Sequence, residues 1–106
     1  MARARKQLTP LHPGEVLREE FMEPYVLSAY AVAKACKLPR TRIERIAREE
    51  MGVSADTALR LAKLFGTTPE FWLNLQTRYE VETAALEIGE DLDDIKTLRP
   101  RELRAA

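Results

Sequence analysis

Residues 37–48 carry five basic side chains and one acidic one, in a spacing that suits hydrogen bonding to DNA. At about 100° per residue, one face of a helix collects Thr41, Glu44, Arg45 and Arg48. An arginine can donate two hydrogen bonds to O6 and N7 of guanine, and a glutamate can accept one from N4 of cytosine. The stretch is therefore predicted to read bases in the major groove. The alternative is an amphipathic helix whose arginines are only solvated.

The predicted DNA contacts divide into base readers and phosphate binders. Because residues near the N-terminus of such a helix reach furthest into the groove, the expected base readers are Arg40, Thr41, Glu44 and Arg45. Phosphate contacts are expected from Arg42, Arg48, the turn residue Lys37, and the start of the preceding helix at Ser28 and Tyr30. Glu44 has an alternative role, since it can form an ion pair with Arg40 or Arg48.

Two short helices within residues 29–46 would position these side chains. Their apolar sides consist of Val32, Ala33 and Cys36 on the first helix and Leu38, Ile43 and Ile46 on the second. This spacing is typical of a helix-turn-helix, in which the small Ala33 permits close approach of two steeply crossing helices. The turn usually carries glycine where this chain has Lys37, and a left-handed lysine costs about 1 kcal/mol.

Start and stop signals along the chain predict five helices and no strand. The start signals are Pro13, Ser28, Pro39, Ser54 and Thr68, and the stop signals are Pro24, Gly52, Gly66 and Gly89. We therefore expect an all-α, five-helix repressor-like helix-turn-helix domain at residues 13–88, with a long C-terminal helix. Residues 1–12 are expected to form a flexible basic arm, and residues 89–106 a tail.

The formal net charge of zero hides an uneven distribution. Residues 1–48 hold ten Lys/Arg and five Asp/Glu, whereas residues 49–106 hold seven Lys/Arg and twelve Asp/Glu. The basic half contains the helix-turn-helix, which suits contact with phosphate. Residues 80–94 contain seven acids and no Lys or Arg. This acidic run is either a solvated surface or a docking site for a basic partner.

Composition argues against several other classes of protein. With one cysteine, Cys36, and one histidine, His12, the 106 residues offer no metal site and no catalytic triad, so we expect no cofactor and no enzymatic activity. Phe71 and Trp72 are expected to pack in the core rather than stack on a ligand. The chain has no apolar run long enough for a membrane span and no signal peptide, which predicts a cytoplasmic protein.

A dimer is expected because one recognition helix contacts only a few base pairs, and two such helices about 34 Å apart read two half-sites. The predicted fifth helix carries more apolar surface than a chain of this size buries. Its residues Leu75, Tyr79 and Val81 are the expected interface across a two-fold axis.

Three segments resemble the HigA family of bacterial antitoxins: residues 11–15 (LHPGE), 54–62 (SADTALRLA) and 65–76 (FGTTPEFWLNLQ). The resemblance spans about residues 8–85. It implies a homodimer that binds a palindromic operator in its own promoter. It also implies direct binding and neutralisation of a HigB-like toxin, a small basic nuclease that cuts mRNA on the ribosome. Two alternatives are a stand-alone helix-turn-helix repressor with no toxin partner and an interaction module that no longer binds DNA.

Overall fold

The computed structural model describes residues 9–100, and within that range it contains helices and turns but no strand. Helix α1 begins as Pro13–Val16 and continues as a π-helical segment, Leu17–Met22. The other helices are α2, Ala29–Cys36; α3, Arg40–Ala47; α4, Ala55–Phe65; and α5, Pro69–Asp93. The prediction of an all-α domain with five helices and a long last helix is confirmed.

The helices begin at the predicted capping residues. The hydroxyl oxygen of Ser28 accepts a hydrogen bond from the amide of Ala31 at 3.1 Å, and Ser54 and Thr68 cap α4 and α5 in the same way. These side chains satisfy amides that have no partner within the helix. Gly66 ends α4 in the left-handed conformation, with φ of 73°.

His12 differs from the expected flexible arm, because it is 3% exposed and caps α1. Its Nδ1 accepts a hydrogen bond from the amide of Gly14 at 2.8 Å. Its ring lies edge-on to that of Tyr79, with the centroids 4.7 Å apart. The inner end of the predicted arm is thus fixed to the domain, while residues 1–8 lie outside the described part of the chain.

The last helix also differs from its predicted end. α5 continues through Gly89 to Asp93, although the backbone of Ile88 leaves helical geometry, with φ of −116° and ψ of 20°. Gly89 therefore lies beside a kink and does not end the helix. No described helix is both long enough and apolar enough to cross a bilayer.

Trp72 is the largest side chain in the core, fully buried as expected. Its indole nitrogen donates a hydrogen bond to the Thr67 hydroxyl at 2.9 Å. The other fully buried residues of the core come from the four preceding helices: Leu17, Val32, Ile43, Ile46, Ala58 and Leu61. Phe71 was expected to pack with them, but it remains partly exposed at the edge of the core.

Candidate nucleic-acid interface

The helix-turn-helix consists of α2 and α3, which pack through the predicted apolar residues. Ile43 and Ile46 of α3 are fully buried, as is Val32 of α2. The turn between the helices closes with a hydrogen bond from the amide of Leu38 to the carbonyl of Ala33, at 2.9 Å. Lys37 adopts the left-handed conformation expected of it, with φ of 59° and ψ of 46°.

Arg60 of α4 stabilises this turn by hydrogen bonding, a role that was not predicted from the sequence. Its guanidinium donates to the carbonyl of Cys36 at 2.9 Å and approaches that of Lys37 at 3.4 Å. These carbonyls at the end of α2 have no partner within the helix, and a cation there also favours the helix dipole. Asp56 orients Arg60 through an ion pair of 3.1 Å.

The C-terminal end of α3 is fixed by α1. A Cβ placed on Gly14 would come within 1.8 Å of the carbonyl oxygen of Ile46, so only glycine allows α1 to approach this closely. Arg18 donates a hydrogen bond to the carbonyl of Ala47 and pairs with Glu49 at 3.3 Å. These contacts set the orientation of α3 relative to the rest of the domain.

Two of the four arginines, Arg45 of α3 and Arg48 at the end of α3, are exposed and form no ion pair or side-chain hydrogen bond with any other residue between 9 and 100. The other two are engaged on the surface. Arg40 pairs with Glu44 at 3.4 Å, and Arg42 pairs with Asp56, also at 3.4 Å. The alternative role of Glu44 as a partner of Arg40 is therefore present in the structure.

The remaining predicted DNA contacts lie around the N-terminal ends of α2 and α3. Thr41 is exposed on the first turn of α3, and Lys37 is exposed just before it. Ser28 caps α2, and Tyr30 is exposed on its first turn, with the Lys34 ammonium 5.9 Å from the ring centroid. Ser28 and Tyr30 therefore lie at a helix N-terminus that can receive a phosphate.

The three residues expected at a dimer interface have different surroundings. Leu75 packs against the core of its own chain, and Tyr79 contacts His12. Val81 is 61% exposed. Of the three, Val81 alone is largely free for contact with another subunit.

Residues 9–100 contain no cluster of three His, Cys, Asp or Glu side chains placed to hold a metal ion. Cys36 is buried between α2 and α4, and its thiol approaches the Arg60 carbonyl at 3.7 Å. Burial raises the pKa of this thiol, which disfavours the reactive thiolate.

The chain resembles the structure described as Pseudomonas aeruginosa antitoxin HigA with the higBA promoter. The two share 41% identity and a TM-score of 0.81 over 85% of this chain and 99% of the other. An addiction module antidote protein of the HigA family from Coxiella burnetii is similarly close, with 44% identity and a TM-score of 0.79 over 85% and 98% of the two chains. This chain belongs to the HigA family of antitoxins.

A HigA-family assignment agrees with the relationship to a further bacterial protein. The chain is 48% identical to Virulence-associated protein I of Dichelobacter nodosus over 80 residues. This matched stretch spans 76% of this chain and 74% of that protein. No protein-family model matches the chain. The resemblance inferred from residues 11–15, 54–62 and 65–76 is confirmed.

Proposed function

We propose that this HigA-family chain binds the palindromic operator of its own operon as a homodimer and represses it. The observation that carries this proposal is the pair of exposed, unpaired arginines on α3, Arg45 and Arg48, on a helix anchored by buried Ile43 and Ile46. A rigid helix with free guanidinium groups meets the requirement for entry into the major groove. The relative from Pseudomonas aeruginosa, described with promoter DNA, supports the same reading.

In this proposal, Arg45 reads a base together with Arg40, Thr41 and Glu44, while Arg48 contacts phosphate. The phosphate contacts also include Ser28, Tyr30, Lys37 and Arg42. Arg40 and Arg42 exchange their carboxylate partners for DNA on binding. This exchange costs little, because exposed ion pairs of this kind contribute about 0–1 kcal/mol.

The homodimer forms, in our proposal, through the distal half of α5. Up to the kink at Ile88, the apolar residues Val81, Ala85 and Ile88 follow one another at intervals of four and three positions, and all three side chains are exposed. Alternating intervals of four and three place side chains along one seam between paired helices. The predicted interface residues Leu75 and Tyr79 precede this seam on α5 and support the fold of their own chain.

The second part of the proposed function is neutralisation of a HigB-like toxin by direct binding. It is supported by membership of an antitoxin family. The test is co-expression of this chain with the small basic protein encoded beside it, measured as rescue of growth and as co-purification. Failure of both would leave the alternative of a stand-alone helix-turn-helix repressor.

The DNA-binding part has its own test, titration of the promoter fragment upstream of the gene. Specific binding is expected to be at least about a thousandfold tighter than binding to random DNA of the same length. Equal affinity for both DNAs would contradict the repressor role and favour an interaction module that does not read DNA.

A further inference from the structure

An exposed apolar surface is formed by residues of the loop after the π-helical segment, the end of α4 and the start of α5. We call it the Tyr25 patch, and it consists of Tyr25, Val26, Leu64, Phe65 and Phe71. Tyr25 is 64% exposed and Val26 is 89% exposed. Apolar groups gathered in this way on a small domain mark a surface that a partner covers.

The patch is continuous with the core through a chain of aromatic rings. The ring of Tyr25 stacks on that of Phe65, with centroids 6.3 Å apart and planes inclined by 15°. Phe21 contacts Phe65 and Phe71 from beneath, at 4.8 and 6.0 Å. A cleft of about 320 Å³ opens between Tyr25, Leu64 and their neighbours Leu27 and Phe65. It is large enough to receive an apolar side chain.

Val26 shows that the loop carrying the patch holds a costly conformation. Its φ is 53°, in the left-handed region that β-branched residues rarely enter. Two hydrogen bonds close the turn. The amide of Val26 donates to the carbonyl of Glu23 at 3.1 Å, and the amide of Leu27 donates to the carbonyl of Met22 at 2.8 Å. The same pair of hydrogen bonds ends α2 at Lys37, so the helix end sets the left-handed conformation of Val26. This turn projects the Val26 side chain into solvent beside Tyr25.

We propose that the Tyr25 patch is the docking site for the basic toxin, an inference that rests on the proposed antitoxin function. The acidic side chains near the patch indicate that the partner is basic. Glu23 lies two residues before Tyr25, Glu70 immediately precedes Phe71, and Glu20 precedes Phe21, whose ring contacts Phe65 and Phe71. All three glutamates are exposed, and their carboxylates form no hydrogen bond or ion pair with residues 9–100. Lys63 is the nearest cation in sequence, and it lines the neighbouring groove with Lys37. A basic protein with a protruding apolar side chain fits both the cleft and its acidic border.

The same charges disfavour DNA as an occupant, because its phosphates would be repelled by the three carboxylates. The patch is formed by the loop after the π-helical segment, the end of α4 and the start of α5, and it contains no residue of α3. Its edge at Leu64 borders the groove that Lys37 lines, and we expect a bound toxin to leave the arginines of α3 open. Toxin and operator are therefore expected to bind the same antitoxin together.

The test uses full-length antitoxin variants and a catalytically inactive form of the basic toxin encoded beside the gene, with affinity measured by calorimetry. Tyr25→Ala is expected to weaken toxin binding about tenfold or more. Val26→Gly is expected to weaken it roughly threefold while the thermal midpoint stays equal or rises, since glycine adopts this φ without strain. Leu59→Ala is the matched control, because Leu59 is 59% exposed on α4 but outside the patch.

Operator affinity and sedimentation of the same variants decide between occupants. Unchanged operator affinity and an unchanged oligomeric state, together with weaker toxin binding, support the proposal. Wild-type toxin affinity in both Tyr25→Ala and Val26→Gly would overturn the docking site but leave the antitoxin function standing. No toxin binding by the wild-type chain would overturn both. Loss of the dimer in Tyr25→Ala would assign the patch to a second copy instead.

Discussion

Gly14 lies directly against the carbonyl oxygen of Ile46, so that a Cβ at residue 14 would come within 1.8 Å of it. This contact joins the first turn of α1 to the last turn of α3. Nearby, Arg18 and Glu49 strengthen the same junction. The orientation of α3 thus depends on a residue that has no side chain.

Replacement of Gly14 by alanine is expected to lower the free energy of unfolding by about 2–3 kcal/mol, because the backbone of α3 must move to admit the methyl group. Operator affinity is expected to fall as well, since α3 is displaced. Urea denaturation and DNA titration measure the two effects. Gly89→Ala is the control: nothing lies within 4 Å of a Cβ there, and it should gain about 0.5–1 kcal/mol. Equal stability of the two variants would refute the role of the junction.

Arg45→Ala is expected to weaken operator binding by about 1–3 kcal/mol and to relax the preference for one base pair. Arg48→Ala is expected to weaken binding to specific and random DNA alike and to reduce the salt dependence by about one phosphate contact. Both side chains are exposed without a partner in residues 9–100, so neither change should lower stability. Identical losses on both DNAs for both variants would remove the distinction between base reader and phosphate binder.

His12 makes stability depend on pH. Burial lowers the pKa of His12 below its ordinary value of 6.5, Glu49 opposes this and Arg18 adds to it. The unfolded chain therefore takes up this proton more readily than the folded one, and stability is expected to fall as the pH drops below 6.5. Protonation also removes the Nδ1 acceptor that caps α1.

Urea midpoints measured at several pH values test this expectation. His12→Asn keeps an oxygen acceptor at the cap but does not titrate, so its midpoint should vary less between about pH 7.5 and pH 5 than that of the wild type. The same pH dependence in both proteins would assign the effect to other groups.

Added salt is expected to strengthen the dimer and to weaken DNA binding. The seven acids of residues 80–94 meet their counterparts when two α5 helices pair, so added salt should tighten the dimer by screening this repulsion. DNA binding should weaken with salt because counterions are released. Sedimentation and DNA titration over one salt series measure both trends.

Ile88→Glu tests the proposed dimer interface without disturbing the fold of the subunit. Ile88 is exposed at the end of the proposed seam, so the variant should be monomeric, with the unfolding transition of the wild-type subunit. A variant at Tyr79 would be less informative, because Tyr79 also packs on His12. Persistence of the dimer in Ile88→Glu would place the interface elsewhere.

Local signals in the sequence were sufficient for the helices and for the helix-turn-helix. Ser28, Ser54 and Thr68 cap helices because the amides they satisfy lie within three residues, and Gly66 ends α4 through its own backbone freedom. Lys37 was expected in the left-handed conformation because the turn demands it, and it is found there. Such features depend on near neighbours in the chain, so the sequence alone determines them.

Tertiary structure decided which side chains remain available. Arg60 and Cys36 lie 24 residues apart, and Arg18 and Ala47 lie 29 residues apart. No local sequence pattern predicts hydrogen bonds between residues so distant in the chain. The same holds for the contact of Tyr79 with His12, which lies 67 residues away in the chain. Packing of distant segments engages some of the arginines and leaves Arg45, Arg48 and the Tyr25 patch exposed. The hydrogen bonds of Arg60 and Arg18 and the ring contact of Tyr79 form only once the helices have packed together.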